Sequence, residues 1–351
     1  MKAEKFLWIS DGEYYYSSGY YTMNKWIDND TVVITRSKNK KIGVNSPKDV
    51  CELVKVNLKD NSMRVLCDDV LDFAQHVVHE NNVYYSTGKE LKGIDVKSGK
   101  TEVLYRNEFY ADDENAVMES PHKTADGRFI SLYVSCKGKA SVFITVDTVT
   151  GKMKKICEKK FENPFPMTNH GMVCPTDKDL MFFSHEGITF YVSNRLWLAD
   201  ARNGKMWNIA KQRLNDDGNL GDCFGHEMWA PDGKGLYFVK YKCSPTPPRG
   251  ICYVDVQTGK AKLLYSGFGY WHVGVSADGK YLTSDTQTGK DYSEVVVIDI
   301  KTGEEVLIDE AKTDWNHPCH PHPQLSFDNN KLMYTAIDES GRTGVKIAIL
   351  K

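Results

Sequence analysis

The chain has 351 residues, of which 41% are hydrophobic and 26% charged, and its formal net charge at pH 7 is −2. It contains no basic block or stripe and no run of roughly 18 apolar residues, so neither nucleic acid nor a membrane is expected as a partner. The nine cysteines include no C-x-x-C pair and are odd in number, which argues against a disulfide framework. Because the N-terminus also lacks the apolar core of a signal peptide, we expect a cytoplasmic protein with reduced thiols.

Short alternating runs that are typical of β-strands follow one another along the chain, and helical periodicity is almost absent. Examples in chain order are FISLYV, SVFITVDTVTG, GLYFVKY, ICYVDVQTG, EVVVIDIKTG and KLMYTAID. Dipeptides such as DG, NN, TG and NG separate the runs and supply the positive-φ residues that tight hairpins need. The pattern predicts an all-β chain built from hairpins.

A strand that ends in a turn recurs six times. The copies are VNLKDNSMRVL from Val56, IDVKSGKTEVL from Ile94, VDTVTGKMKKI from Val146, ADARNGKMWNI from Ala199, VDVQTGKAKLL from Val254 and IDIKTGEEVLI from Ile298. Intervals of about 38 to 55 residues are typical of four-stranded propeller blades.

These copies define six blades and leave residues 320–351 for a seventh, whose outer strand the N-terminal segment 5–10 can supply. Such pairing ties the two chain ends together and removes an open sheet edge. The sequence therefore predicts a seven-bladed β-propeller of four-stranded antiparallel blades, forming a single domain over residues 1–351. Six blades with an additional N-terminal strand is the alternative.

Histidines recur at one place before an acidic turn that starts several blades. His226, His272 and His322 each stand six residues before the aspartate of that turn, and His170 precedes Pro175 as His226 precedes Pro231. His122 stands two residues further along its blade and is expected on the same strand face. A single such histidine is more often a satisfied core residue, but five in register favour convergence on the channel that the first strands of a propeller line.

The segment HPCHPHP from His317 to Pro323 is the strongest local signal. Residues before proline are extended, and residues two apart in an extended chain face the same way, so His320 and His322 project together with Cα atoms roughly 6.6 Å apart. With His272 and His317, up to four imidazoles could bind one ion. Imidazoles suit Zn, Mn, Fe, Ni or Cu, and the alternative is a proline-rich connector with incidental histidines.

Several segments resemble the oligogalacturonate lyases of pectin degradation, a family of cytoplasmic seven-bladed propellers that carry a divalent ion, usually assigned as manganese. They are NHGMVCPTD from Asn169, SHEG from Ser184, RLWLAD from Arg195, GHEMWAPDG from Gly225, WHVGVSADG from Trp271 and HPHP from His320. The resemblance is weak before residue 160.

This resemblance implies that His226 is the general base, that Arg195 is the catalytic arginine, and that the metal ligands include three histidines, His272, His320 and His322. The glutamine that the family has three residues before HPHP is His317 here, which exchanges an oxygen donor for a nitrogen donor.

The implied function is a metal-dependent lyase that cleaves short uronate-containing oligosaccharides by β-elimination and leaves a 4,5-unsaturated uronate end. Manganese is the expected cofactor, with Zn, Fe and Ni left open by the ligand set, and an acidic oligosaccharide is the expected partner. The candidates for substrate contact are His170, His185, Tyr270 and Trp271. The alternatives are a non-catalytic binding or scaffold propeller and a metal-dependent enzyme that acts on a different acidic sugar.

Overall fold

The computed structural model describes residues 1–40, 50–188, 191–267 and 269–351, and every regular element in these residues is a β-strand. In this described part of the chain no helix is long and apolar enough to cross a membrane. Two compact units are distinguished, Met1–Val103 with Gly274–Lys351, and Leu104–Val273. Both boundaries fall inside strands, Thr101–Arg106 and Tyr270–Val275, so each of these strands belongs to both units.

The strands follow one another with short connections. In chain order they are β1 (Ala3–Ile9), β2 (Tyr15–Ser17), β3 (Trp26–Asp28), β4 (Thr31–Ser37), β5 (Cys51–Asn57), β6 (Met63–Val70), β7 (His76–His79), β8 (Asn82–Ser86), β9 (Glu90–Asp95), β10 (Thr101–Arg106), β11 (Val117–Lys123), β12 (Phe129–Ser135), β13 (Ser141–Asp147), β14 (Met153–Lys159), β15 (Thr168–Cys174), β16 (Asp177–His185), β17 (Leu196–Asp200), β18 (Lys205–Ala210), β19 (Phe224–Trp229), β20 (Gly235–Lys240), β21 (Gly250–Asp255), β22 (Ala261–Ser266), β23 (Tyr270–Val275), β24 (Tyr281–Thr286), β25 (Tyr292–Asp299), β26 (Glu305–Lys312), β27 (Gln324–Leu325), β28 (Lys331–Ile337) and β29 (Thr343–Leu350).

In the first unit, the sheets have the strand orders β2-β4-β5-β6, with β3 paired to β4, then β10-β9-β8-β7, β23-β24-β25-β26 and β1-β29-β28-β27. The last of these joins the chain ends, since β1 pairs antiparallel with β29 and places Phe6 opposite Ala348. The N-terminal strand therefore completes the final blade, as the sequence predicts.

In the second unit, strands β11–β14, β15–β18 and β19–β22 form three further antiparallel sheets in sequence order. Together the described residues form seven such sheets, and the predicted all-β seven-bladed β-propeller is confirmed. That the whole chain is one domain stays a prediction.

Strand β16 shows how a blade buries both faces. Phe182 packs in a cluster with Phe224 and Phe238 of the following sheet, whereas its neighbour Phe183 packs with Phe143 of the preceding sheet. Successive side chains of a strand point to opposite faces, so a strand covered on both sides reads as a continuous apolar run. This is why the predicted strands are so rich in apolar residues.

Candidate active site

A β-bulge interrupts the first strand of each sheet in the second unit. The extra residues are Ser120 in β11, His170 in β15 and His226 in β19, with φ values of 62°, 53° and 53°. His322, just before β27 in the first unit, has a φ of 48°. Non-glycine residues in this left-handed region are strained by about 1–3 kcal/mol, and such strain concentrates at functional sites.

His122 lies beyond the bulge of β11, and its Nδ1 is 3.0 Å from the carbonyl oxygen of Ser120. Pairing runs from Glu119 opposite Tyr133 to His122 opposite Ser131, so one extra residue intervenes. The alternation that would place His122 on the face of position 120 is therefore broken, and Ser120, not His122, occupies the place of the other histidines.

His226 is oriented by two hydrogen-bond partners from other strands and turns of the chain. Its Nδ1 lies 2.6 Å from the carbonyl oxygen of Trp271 and 3.0 Å from the hydroxyl of Tyr241. Because a carbonyl only accepts hydrogen bonds, Nδ1 carries the proton and Nε2 carries the lone pair. Burial, followed by electrostatic repulsion of a second proton by nearby His272, His170 and Arg195, lowers the pKa of His226 well below its usual value, so the ring is neutral at neutral pH.

The His226 ring connects two groups of side chains. Its centroid is 4.1 Å from that of His272 and 6.4 Å from that of His170. His272 belongs to the metal-ligand candidates, whereas His170 belongs to a charged cluster around Arg195. A neutral imidazole thus stands between candidates for metal binding and a fixed cation.

Arg195 is clamped by two carboxylates. Its Nε lies 2.6 Å from Oε1 of Glu227, and its Nη2 lies 2.8 Å from Oε1 of Glu186. The second oxygen of Glu227 is 3.3 Å from Nδ1 of His170. Burial alone would raise the pKa of Glu227, but the charge of Arg195, the hydrogen bond and charge of His170, and the hydrogen bond from Arg195 together hold that pKa well below its ordinary value. Within the described part of the chain, these contacts with Glu227 and Glu186 involve Nε and Nη2 of Arg195 and not Nη1.

The sequence analysis did not predict Glu186 and Glu227 as site residues, although both lie inside the motifs that carry the resemblance. Each directly follows a histidine, in SHEG and GHEMW respectively. Their spacing of 41 residues along the chain gives no sign that they share one guanidinium.

Three histidines form a candidate metal centre. One ring nitrogen from each of His272, His320 and His322 lies within 4.8 Å of those of the other two, and all three side chains are buried. Three convergent imidazoles suit a borderline divalent ion such as Zn, Mn, Fe or Ni.

Neighbouring carbonyls set the tautomers of two of these ligands. Nδ1 of His322 lies 3.0 Å from the carbonyl oxygen of Gly19, which leaves the lone pair on Nε2. Nε2 of His320 lies 3.2 Å from the carbonyl oxygen of Trp315, which leaves the lone pair on Nδ1. Burial lowers the pKa of His320 to about 4, so it is in the neutral form that binds metals.

His317 lies beside this group without joining it. Its ring centroid is 4.0 Å from that of His320, but the side chain is exposed and is outside the set of three nitrogens. Its role as a fourth ligand stays a prediction.

The candidates for substrate contact differ in their surroundings. Trp271 is half-buried, with its ring 6.1 Å from that of His226, and Tyr270 is buried beside it in β23. His185 stacks on Phe161 and engages Asn194 and the Phe165 carbonyl through its two ring nitrogens. A part in substrate binding stays a prediction for each of them.

The chain matches known proteins over most of its length. The family model described as oligogalacturonate lyase matches residues 14–350. The oligogalacturonide lyase of Pectobacterium atrosepticum is 27% identical over 223 residues, which cover 58% of this chain and 54% of that protein. The chain thus spans about half the length of this curated relative.

Solved structures show the same fold at lower identity. An oligogalacturonate lyase in complex with manganese has a TM-score of 0.81 and 18% identity, covering 100% of this chain and 95% of that one. The oligogalacturonate lyase of Vibrio parahaemolyticus has a TM-score of 0.78 and 16% identity, covering 100% and 99%. Because the family model spans nearly the whole sequence, this chain belongs to the oligogalacturonate lyase family.

Proposed function

We propose that this protein is a metal-dependent lyase that cleaves short oligogalacturonates, or closely related uronate oligosaccharides, by β-elimination. The observation that carries the proposal is the neutral, half-buried His226 between the three-histidine group and the Arg195 cluster. The names of the similar proteins support the same substrate class.

The first chemical requirement is removal of the C5 proton of the uronate. That proton is α to a carboxylate, and it is only weakly acidic because the resulting anion carries a second negative charge. His226 accepts it on Nε2, and the Trp271 carbonyl stabilises the imidazolium through Nδ1–H. Burial keeps the ring unprotonated before the substrate arrives, so the base is ready at neutral pH.

The residues that would hold a divalent ion are His272, His320 and His322, with His317 as a candidate fourth ligand. When bound, the ion neutralises the substrate carboxylate and stabilises the charge that develops on it. Manganese is favoured because the structurally similar lyase was obtained with manganese, while three imidazoles would also accept Zn, Fe or Ni.

Arg195 contributes a directed hydrogen bond. Glu186 and Glu227 compensate its charge and occupy Nε and Nη2, so the protons on Nη1 are the ones available to a substrate oxygen. That oxygen is the carboxylate or the leaving oxygen at C4, whose negative charge grows as the C4–O bond breaks. The products are an unsaturated uronate and a shortened sugar, and no water is consumed.

We assign contact with the sugar ring to His170, which lies next to Glu227, and to the half-buried Trp271, and supporting roles to Tyr270 and His185. Aromatic faces pack well against sugar C–H bonds. All nine cysteines are free thiols, which supports a cytoplasmic location for the proposed enzyme.

The test is incubation of the purified protein with di- and trigalacturonate and a panel of other uronate oligomers, with Mn²⁺ or with a chelator. Absorbance of the unsaturated uronate should grow with metal and disappear in His226→Ala, while His79→Ala, at a half-buried histidine outside the site, keeps it. Absence of the signal with every uronate and every divalent ion would overturn the proposal.

A further inference from the structure

Two thiols lie together at one edge of the sheet that carries His226. Cys223, directly before β19, is buried, whereas Cys243 is exposed in the turn Tyr241–Ser244 that follows β20. A side-chain hydrogen bond joins the two thiols. An exposed cysteine in contact with a buried one is the arrangement found in peroxide-sensitive dithiols.

The backbone keeps this contact in place. The N–H of Tyr241 donates to the carbonyl oxygen of Cys223 at 2.9 Å. The hydroxyl of Ser244 accepts from the N–H of Cys223 at 3.0 Å and donates to its carbonyl oxygen at 3.3 Å. Three hydrogen bonds therefore hold the turn against Cys223.

The surroundings of Cys243 favour the thiolate form of this residue. The hydrogen bond from Cys223 lowers the pKa of Cys243 to about 7 although burial opposes this, and Lys242 and Arg249 add to the lowering. Arg249 is fixed nearby, because its Nε donates to the carbonyl oxygen of Ser244 at 2.7 Å. In contrast, burial raises the pKa of the half-buried Cys67 to about 12, so that thiol is unreactive.

We propose that Cys243 and Cys223 form an oxidation site, which a hydroperoxide converts into a disulfide. The Cys243 thiolate attacks one peroxide oxygen, the O–O bond breaks, and the departing hydroxide takes a proton to become water. The Cys223 sulfur then attacks the sulfenic sulfur of Cys243, and the displaced hydroxide leaves as water with the Cys223 proton. Two thiols are oxidised by two electrons and one hydrogen peroxide is reduced to two waters.

Tyr241 connects the Cys223–Cys243 pair to His226, the proposed base. This residue begins the turn that carries Cys243, and its hydroxyl lies 3.0 Å from Nδ1 of His226. Forming the S–S bond draws the turn toward β19 and moves Tyr241 with it. Resting on the proposed function, the disulfide form turns over uronate more slowly than the dithiol form.

The experiment treats the reduced full-length protein with equimolar hydrogen peroxide, alkylates it and maps disulfides by mass spectrometry. A Cys223–Cys243 cross-link is expected, which dithiothreitol reverses, with loss of the cross-link in Cys243→Ser and in Cys223→Ser. Cys67→Ser serves as the matched control and should form it as the parent does. In Cys223→Ser, a sulfenic acid on Cys243 should be trapped by dimedone.

Absence of the cross-link, or equal oxidation of the other cysteines, would overturn the oxidation site. The mapping does not depend on lyase activity, so it stands whether or not the proposed function does. Turnover measured on the same samples should fall on oxidation and recover with dithiothreitol, and Cys243→Ser should not respond to peroxide. A cross-link that leaves turnover unchanged would overturn the coupling through Tyr241.

Discussion

Arg195 and Glu227 form a buried ion pair in which Nε and Oε1 are 2.6 Å apart, and Glu227 has no solvent-exposed surface. Buried charges are tolerated only when they are paired with good geometry. The same carboxylate also contacts His170, at 3.3 Å. Glu227 therefore sets the position of the guanidinium and of the histidine together.

Glu227→Gln is expected to lower kcat on digalacturonate by about 10²-fold, because a misplaced guanidinium no longer reaches the substrate oxygen. Manganese affinity should stay at the parent value, since Glu227 is not one of the three candidate ligands. The measurement is steady-state kinetics beside calorimetric Mn²⁺ titration. Glu158→Gln, at an exposed acid of the same unit, is the control, and equal kcat in both variants would contradict the positioning role.

Gly19 is expected to matter for metal binding because its carbonyl oxygen fixes the His322 ring. Its φ is +77°, and a Cβ there would lie 2.6 Å from Cε of the fully buried Lys25. Gly19→Ala should weaken Mn²⁺ binding by about 10–100-fold, the usual effect of disturbing a group that orients a ligand.

Gly12→Ala is the matched control for Gly19, since Gly12 has a φ of +76° but nothing within 4 Å of an added Cβ. Both variants carry the same backbone strain, and only one crowds the residues behind His322. Calorimetric titration of Mn²⁺ into each variant separates the two effects. Equal affinities would show that the Gly19 carbonyl does not orient the ligand.

His317→Gln is expected to shift metal preference toward manganese. The substitution restores the oxygen donor implied by the family resemblance, and oxygen donors favour Mn²⁺ over Zn²⁺ relative to imidazole. The ratio of Mn²⁺ to Zn²⁺ affinity, measured by competition, should rise at least several-fold. Because His317 is exposed beside the three-histidine group, an unchanged ratio would mean that it contributes no ligand.

The sequence predicted the blades because six of the seven repeat one strand-and-turn pattern. The pairing of β1 with β29 followed from the missing outer strand of the last repeat. The common register of His170, His226 and His322 was also readable from their distance to the acidic turn. These features depend on local periodicity, which a single chain displays directly.

The clamp on Arg195 was not readable, because it depends on which strands become neighbours. The bulges were hidden for a similar reason: a bulge is a mismatch between two paired strands, and the sequence of β15 alone does not reveal the one between Asn169 and Met172. The turn that brings Cys243 close to Cys223 depends on hydrogen bonds between the Ser244 hydroxyl and the Cys223 backbone. No sequence motif indicates these bonds. The Arg195 clamp, the bulges and the Cys243 turn therefore depend on which strands and turns become neighbours in the folded chain, and the sequence pattern does not show this.

Asp222 is expected to make stability depend on pH in the acid range. Its carboxylate accepts two hydrogen bonds from the Arg213 guanidinium, both 2.8 Å long, and a third from the Arg213 backbone N–H at 3.0 Å, and it lies 2.5 Å from the ammonium of Lys240. Burial alone would raise the pKa of Asp222, but these bonds lower it to about 2. An aspartate in the unfolded chain titrates near pKa ~3.9, so the stabilisation is complete above that pH and is lost as pH falls toward 2.

The size of this contribution is about 2 kcal/mol, and roughly half of it should be gone at pH 3. Urea unfolding in chelator at pH 6 and pH 3 measures it, with Asp222→Asn expected to lose less stability between the two pH values than the parent. Asp216→Asn, at an exposed aspartate in the neighbouring loop, should lose as much as the parent. Parallel losses in the parent and Asp222→Asn would show that the buried carboxylate is protonated at the same pH in the folded and unfolded chain, and that Arg213 and Lys240 do not favour its charge.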